Sequence, residues 1–177
     1  MRLYIASILV LTLAFLANFY NWFSFSELYQ GISQKFYPQP VQNTLALVKP
    51  DAYNAGHLPA IRKRIQMEGF SIVMEKEMNG DKALMSVFYE EHKERPFFEE
   101  LTNWMSSAPF YAMVLQKPDA IKSWRALMGP TNSHKARENS PSSIRAQFGK
   151  DGSENAVHGS DSPESASREI KLIFGSI

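Results

Sequence analysis

Thr44-Leu45-Ala46-Leu47-Val48-Lys49-Pro50-Asp51 is a short apolar run that stops at a cation, a proline and an acid. A run of this length, bounded by a proline-containing turn, reads as a buried strand. Downstream, Leu58, Ile61, Ile65 and Met67 recur at helical spacing, with Gly69 as the stop. A second strand is expected over Phe70 to Glu77, closed by Asn79-Gly80, and a third over Phe110 to Leu115 after Pro109. Helical spacing returns in Leu84, Val87 and Phe88, in Phe97, Leu101 and Trp104, and in Ile121, Trp124, Leu127 and Met128 before Gly129-Pro130. Thr131 to Ser153 reads as polar and irregular, with one helical turn near Ile144 to Phe148. Asn155 to His158 reads as a short last strand. Ser162-Pro163-Glu164 opens the final helix, with proline at its first position. This order predicts an α/β sandwich: a ferredoxin-like split βαβ core with a four-stranded antiparallel sheet.

Composition narrows the function classes. The 177 residues hold 19 Lys and Arg against 18 Asp and Glu, a net charge of +1, which argues against a dedicated nucleic-acid binder. A chain without cysteine has no disulfide scaffold, thiolate metal site or cysteine nucleophile. His57, His92, His134 and His158 show no metal-ligand spacing, so a histidine-rich zinc site is not expected.

The N-terminus differs from the rest. Leu3 to Ser26 carries no charge, and an aromatic cluster at Phe19, Tyr20, Trp22 and Phe23 has the character of a membrane–water interface. Residues 1–26 read as a hydrophobic N-terminal helix that anchors the chain in a membrane, with a signal sequence as the second reading. Mitochondrial and then secretory destinations follow membrane association in order. Residues 27–43, with Gly31, Pro38 and Pro40, read as a linker, and the folded domain as 44–177.

The chemistry concentrates in Asn155-Ala156-Val157-His158-Gly159-Ser160-Asp161-Ser162. Gly159 allows close backbone approach, and a helix start offers N–H groups to an anion. His158 there is either a nucleophile or base toward a phosphate, or a histidine that packs beside a turn. Glu169, seven residues beyond Ser162, is placed to turn back toward it. Lys49, Arg125 and Arg145 fall at a strand end, on a helix and in the irregular segment, where α/β sheets collect ligand groups or where ordinary surface cations sit.

Thr44–Asp51, Glu94-Arg-Pro-Phe-Phe98 and Asn155–Ser162 together resemble three signature blocks of the nucleoside diphosphate kinase family, in the family's order. The resemblance runs from Thr44 to Phe174. Lys-Pro-Asp-Ala52, Leu127-Met-Gly-Pro-Thr131 and Ser165-Ala-Ser-Arg-Glu-Ile170 are similar to the divergent nucleoside diphosphate kinase 6 type. The resemblance implies γ-phosphate transfer from a nucleoside triphosphate to a diphosphate, by a ping-pong route through phosphohistidine at His158. Ser160 and Glu169 would orient that histidine. Lys49, Arg125, Thr131 and Arg145 would hold phosphates with Tyr89 nearby, and Phe97 would stack on the base beside Leu101. Asn155 would join Lys49 at the sugar hydroxyls. Mg²⁺ held mainly by the nucleotide's phosphates is implied, and a homo-oligomer is possible. The segment between Thr131 and Arg145 is three residues longer than in ordinary members, which places a polar insertion at about 133–142, and the chain ends at Ile177 without the usual C-terminal extension. The rival reading is a weakly active or inactive member that serves a protein partner as a scaffold; a hydrolase using His158 lacks a visible water-activating group.

Overall fold

Alternation along β1 (Val41–Val48) sends Leu45 and Leu47 to one face of the sheet and Ala46 and Val48 to the other, all fully buried. A strand covered on both faces needs apolar residues at every position, which is why this stretch is an unbroken run. A computed structural model describes residues 40–175, of which 41–175 belong to one compact unit. The hydrophobic helix expected over 1–26, and nearly all of the 27–43 linker, lie outside the described residues. Among those described, no helix is long and apolar enough to cross a membrane.

After β1 come α1 (Pro50–Asn54), α2 (Leu58–Met67) and β2 (Ser71–Met78). Next are α3 (Lys82–Phe88), a 3₁₀ turn (Glu90–His92), α4 (Phe98–Ser106) and β3 (Phe110–Pro118). The chain ends through α5 (Ala120–Met128), α6 (Ser133–Asn139), α7 (Ile144–Phe148), β4 (Val157–Gly159) and α8 (Pro163–Phe174). The strand order is β2-β3-β1-β4, and all three pairings are antiparallel. β3 therefore lies between β1 and β2, and β1 between β3 and β4, which is the split βαβ arrangement expected from the element order. Ala46, Val48, Met113 and Leu115 pack against Ile61, Ile65, Trp124 and Met128 of α2 and α5. Leu45, Leu47, Ala112 and Val114 pack on the opposite face against α3, α4 and α8, through Phe88, Leu101, Met105 and Ile170.

Three local expectations need correction. β1 starts at Val41 rather than Thr44, so 41–43 belong to the strand and not to the linker. The turn expected at Lys49-Pro50-Asp51 is the start of α1, with proline in its first turn. The irregular segment contains α6, which a polar sequence hides: Asn132 caps it by accepting from the Lys135 N–H at 2.9 Å, and Ala136 is its buried contact.

The short strand β4 is fixed by a close approach. Trp124 lies so tightly against Gly159 that a Cβ there would meet Trp124 Cδ1 at 2.3 Å and Nε1 at 2.4 Å. Trp124 Nε1 donates to the His158 carbonyl at 3.1 Å. A Gly159→Ala substitution is expected to cost about 1–3 kcal/mol through overpacking, read as a lower urea midpoint of the full-length protein with an unchanged slope.

Candidate active site

His158 is the central residue of β4 and pairs with Leu47 across the sheet. Its ring meets Phe88 and Tyr89 edge-on, with centroids 5.1 and 6.0 Å away. Nε2 lies 3.1 Å from Glu169 Oε2, and the same oxygen accepts the Ser160 hydroxyl at 2.7 Å. Ser160 Oγ in turn accepts the Leu45 N–H at 3.2 Å, which ties the arrangement to β1. An ionised carboxylate can only accept, so Nε2 carries the proton and Nδ1 keeps its lone pair. Nδ1 has no hydrogen-bond partner among the described residues. Glu169 reaches this place because Ser162 caps α8, accepting from the Ser165 N–H at 3.0 Å, and the carboxylate points inward two turns later.

Lys49 leaves the end of β1 and is buried. Its Nζ donates to the Ser153 carbonyl at 2.6 Å and to Asn155 Oδ1 at 3.1 Å. Burial pulls its pKa down to about 8; Asp51 opposes this and Arg145 adds to it. Asn155 also donates through Nδ2 to the Thr131 carbonyl at 3.2 Å. Arg145, buried at the start of α7, donates to the Gly129 carbonyl at 2.9 Å and the Val157 carbonyl at 3.0 Å, which fixes its planar head. Burial, and then the neighbouring Arg125 charge, lower its pKa to about 10, so it stays cationic at neutral pH. Three buried polar atoms in this region have no protein partner: Arg145 Nε, the Tyr89 hydroxyl and Asp51 Oδ1. Burial, with the Glu169 charge second, pushes the Tyr89 phenol well above its ordinary range.

A cleft of about 550 Å³ brings these groups together. Lys49, Tyr89, Phe97, Leu101, Arg125, Thr131, Arg145, Asn155, His158 and Glu169 all line it. Ser160 stands behind the wall, joined to Glu169. Phe97 is 45% exposed although aromatic, at the N-cap of α4 beside half-buried His92, whose ring it meets edge-on at 5.6 Å. Arg125 and Thr131 are exposed at the mouth.

Sequence reading gave Asp51 no role. Its carboxylate is buried and accepts the Ala156 N–H at 2.8 Å, while the Ala156 carbonyl accepts the Lys49 N–H at 2.8 Å. Ala156 is thereby held at φ +68°, a left-handed conformation that costs a non-glycine residue about 1–3 kcal/mol. The signal was the acid of Lys-Pro-Asp, but its partner lies 105 residues away.

The nucleoside diphosphate kinase family profile matches residues 42–177. The chain is 50% identical over 137 residues to the nucleoside diphosphate kinase of Aquifex aeolicus, covering 77% of this chain and 96% of that one. The solved structure of that enzyme superposes with a TM-score of 0.75 over 76% of this chain and 96% of its own. A halophilic nucleoside diphosphate kinase from Halobacterium salinarum, solved in complex with CDP, is 35% identical with a TM-score of 0.71, over 76% of this chain and 88% of its own. A stretch of thioredoxin domain-containing protein 6 from Xenopus laevis, 22% of its length, is 45% identical to 78% of this chain. With the fold, the blocks at both ends of the domain and these relatives in agreement, the chain belongs to the nucleoside diphosphate kinase family.

Proposed function

We propose that in this kinase His158 carries the phosphoryl group, with Nδ1 as the attacking atom. The observation that carries this reading is the engagement of Nε2 by Glu169, which leaves the other ring nitrogen with its lone pair in a cleft that holds three cationic side chains. Nδ1 forms a bond to the γ-phosphorus of a nucleoside triphosphate, and the bond to the β-phosphate oxygen breaks, with its electrons leaving on the diphosphate. A second diphosphate then attacks the phosphorus, and the N–P bond returns its electrons to Nδ1. Splitting the transfer in two lets donor and acceptor use one pocket in turn.

The imidazole gains positive charge as the N–P bond forms, and the Glu169 carboxylate stabilises it. The transferring group spreads negative charge over its oxygens, so fixed cations around it lower the barrier. Arg145 suits this because its orientation is set by two backbone carbonyls while Nε is unpartnered. Lys49, Arg125, Thr131 and Tyr89 would complete the phosphate contacts, Lys49 and Asn155 the sugar contacts, and Phe97 with Leu101 the base platform. Stacking tolerates different bases because every base presents a π-face.

The family works on magnesium-bound nucleotides. Among the described residues no group of three or more His, Cys, Asp or Glu side chains is placed to enclose a metal ion. The cation-lined cleft fits an ion that arrives on phosphate oxygens, with those phosphates held by Lys49, Arg125 and Arg145. When bound, Mg²⁺ supplies neutralisation of phosphate charge.

The finer resemblance to the nucleoside diphosphate kinase 6 type belongs to the same proposal, supported by Lys-Pro-Asp-Ala52 and the long 131–145 segment. We also infer that residues 1–26 tether the kinase domain to a membrane, supported by their charge-free run and aromatic flank. The full-length protein should then sediment with membranes and resist carbonate extraction; an uncleaved chain in the soluble fraction would overturn the tether.

Incubation with γ-labelled ATP and Mg²⁺ should leave acid-labile phosphate on the protein. His158→Ala should lose both label and exchange, and full exchange in that variant would sink the mechanism. Arg125→Ala and Arg145→Ala should each slow transfer by about 10²–10³, the usual effect of losing one preorganised donor. Phe97→Ala should mainly weaken nucleotide binding, by about 1–3 kcal/mol.

Lys49 gives a pH signature. It is cationic below a pKa of about 8 and neutral above it, so its attraction for phosphate is present at pH 7 and fades as pH rises. Nucleotide affinity should fall by up to about tenfold from pH 7 to 9, the loss of one proton per molecule. Lys49→Arg, titrated by calorimetry over the same range, should flatten the fall.

A further inference from the structure

We infer that Glu100 biases this kinase toward nucleotides whose base presents hydrogen-bond donors, guanine above all. The inference rests on the placement of the base at Phe97 and Leu101 under the proposed function. Glu100 lies on α4, three residues after Phe97 and directly before Leu101, and it lines the cleft with both.

The other carboxylates of the cleft already have partners. Glu169 is bonded to His158 and Ser160. Glu91 stands 3.8 Å from Arg168. Asp161 is engaged by the Ser165 side chain, which holds its carboxyl below the usual range. Glu99, next to Glu100, pairs with Lys82 at 2.8 Å. Glu100 itself is exposed and has no ion-pair or side-chain hydrogen-bond partner among the described residues.

Its position along the cleft gives that free charge a meaning. Lys49, Arg125 and Arg145 supply positive charge for phosphates, and Phe97 and Leu101, beside Glu100 on α4, mark the base end under the proposed function. At that end the cleft meets a second cavity of about 320 Å³, and Glu100, Gly152 and Ser153 line both. Residues three apart on a helix are surface neighbours, so a ring stacked on Phe97 would bring its edge within reach of the Glu100 carboxylate.

Bases differ in what they offer to such a group, which can only accept. Guanine presents a ring N–H and an exocyclic amino group side by side, two donors matched to two carboxylate oxygens. Cytosine and adenine present one amino group each. Uracil presents one ring N–H between two carbonyl oxygens, which the carboxylate repels. Stacking then supplies tolerance, and Glu100 tilts it.

The test uses the full chain, ATP as donor, and GDP, CDP and UDP as acceptors. The wild type should favour GDP over UDP in kcat/KM by about five- to tenfold, the low end for a two-pronged contact because Glu100 is exposed. Glu100→Ala should bring GDP and UDP to within about twofold of each other, because the group that discriminates between them is gone. Glu100→Gln, whose amide offers donors to the uracil carbonyls, should narrow the gap mainly by improving UDP. A wild type that uses GDP and UDP alike, or a preference that survives in Glu100→Ala, would overturn the inference. Phe97→Ala tests the base placement separately: KM should rise for all three acceptors together, and no rise would put the base elsewhere.

Discussion

A single buried carboxylate organises the catalytic end of this molecule. Glu169 is 2% exposed, and such a charge is costly unless every oxygen is answered by a donor. Its Oε2 takes both the His158 ring and the Ser160 hydroxyl, and Ser160 also joins the backbone of Leu45 in both directions. One charge thus couples α8, β4 and the central strand β1. The requirement to satisfy it fixes which way the imidazole faces and which nitrogen holds a proton. Structure and reactivity share the same hydrogen bonds here, so the histidine's geometry is as secure as the fold.

The remaining groups are positioned by backbone carbonyls and buried neighbours more than by one another. Lys49 is held at the Ser153 carbonyl, and Arg145 at those of Gly129 and Val157. These anchors hold positive charge near the cleft before any ligand arrives, although burial above all, with a neighbouring arginine adding to it, lowers the pKa of both residues. That tension is relieved when an anion enters, so affinity is built into the unliganded arrangement. The left-handed Ala156 belongs to the same economy of position: Asp51 and Lys49 grip its N–H and carbonyl, and the chain enters β4 already turned.

Much of this was legible in the sequence, for reasons that particular residues make clear. Leu45–Val48 announced a strand covered on both faces because no polar residue interrupts it. The Asn155–Ser162 block by itself left a phosphate-directed histidine and a packed one both open, and its likeness to the family's signature blocks decided between them, while the helical repeat turned Glu169 toward it. What the sequence withheld was of two kinds. Helix α6 is polar along most of its length and shows its helical nature only through the Asn132 cap and the burial of Ala136. Contacts between distant segments, such as Asp51 with Ala156 or Trp124 against Gly159, have no local periodicity to reveal them.

The shape of the sheet has a consequence for solubility. β4, which carries His158, is an edge strand of only three residues. So short an edge offers too few free backbone groups to template a foreign strand. The opposite edge, β2, is eight residues long and carries that hazard instead. There the strand alternates Glu75, Lys76 and Glu77, and its register slips between Ile72 and Met74, leaving Val73 as an irregularity. Charge and a bulge are devices that discourage stray pairing. The protein thus guards its long edge with side chains, and its short edge by brevity.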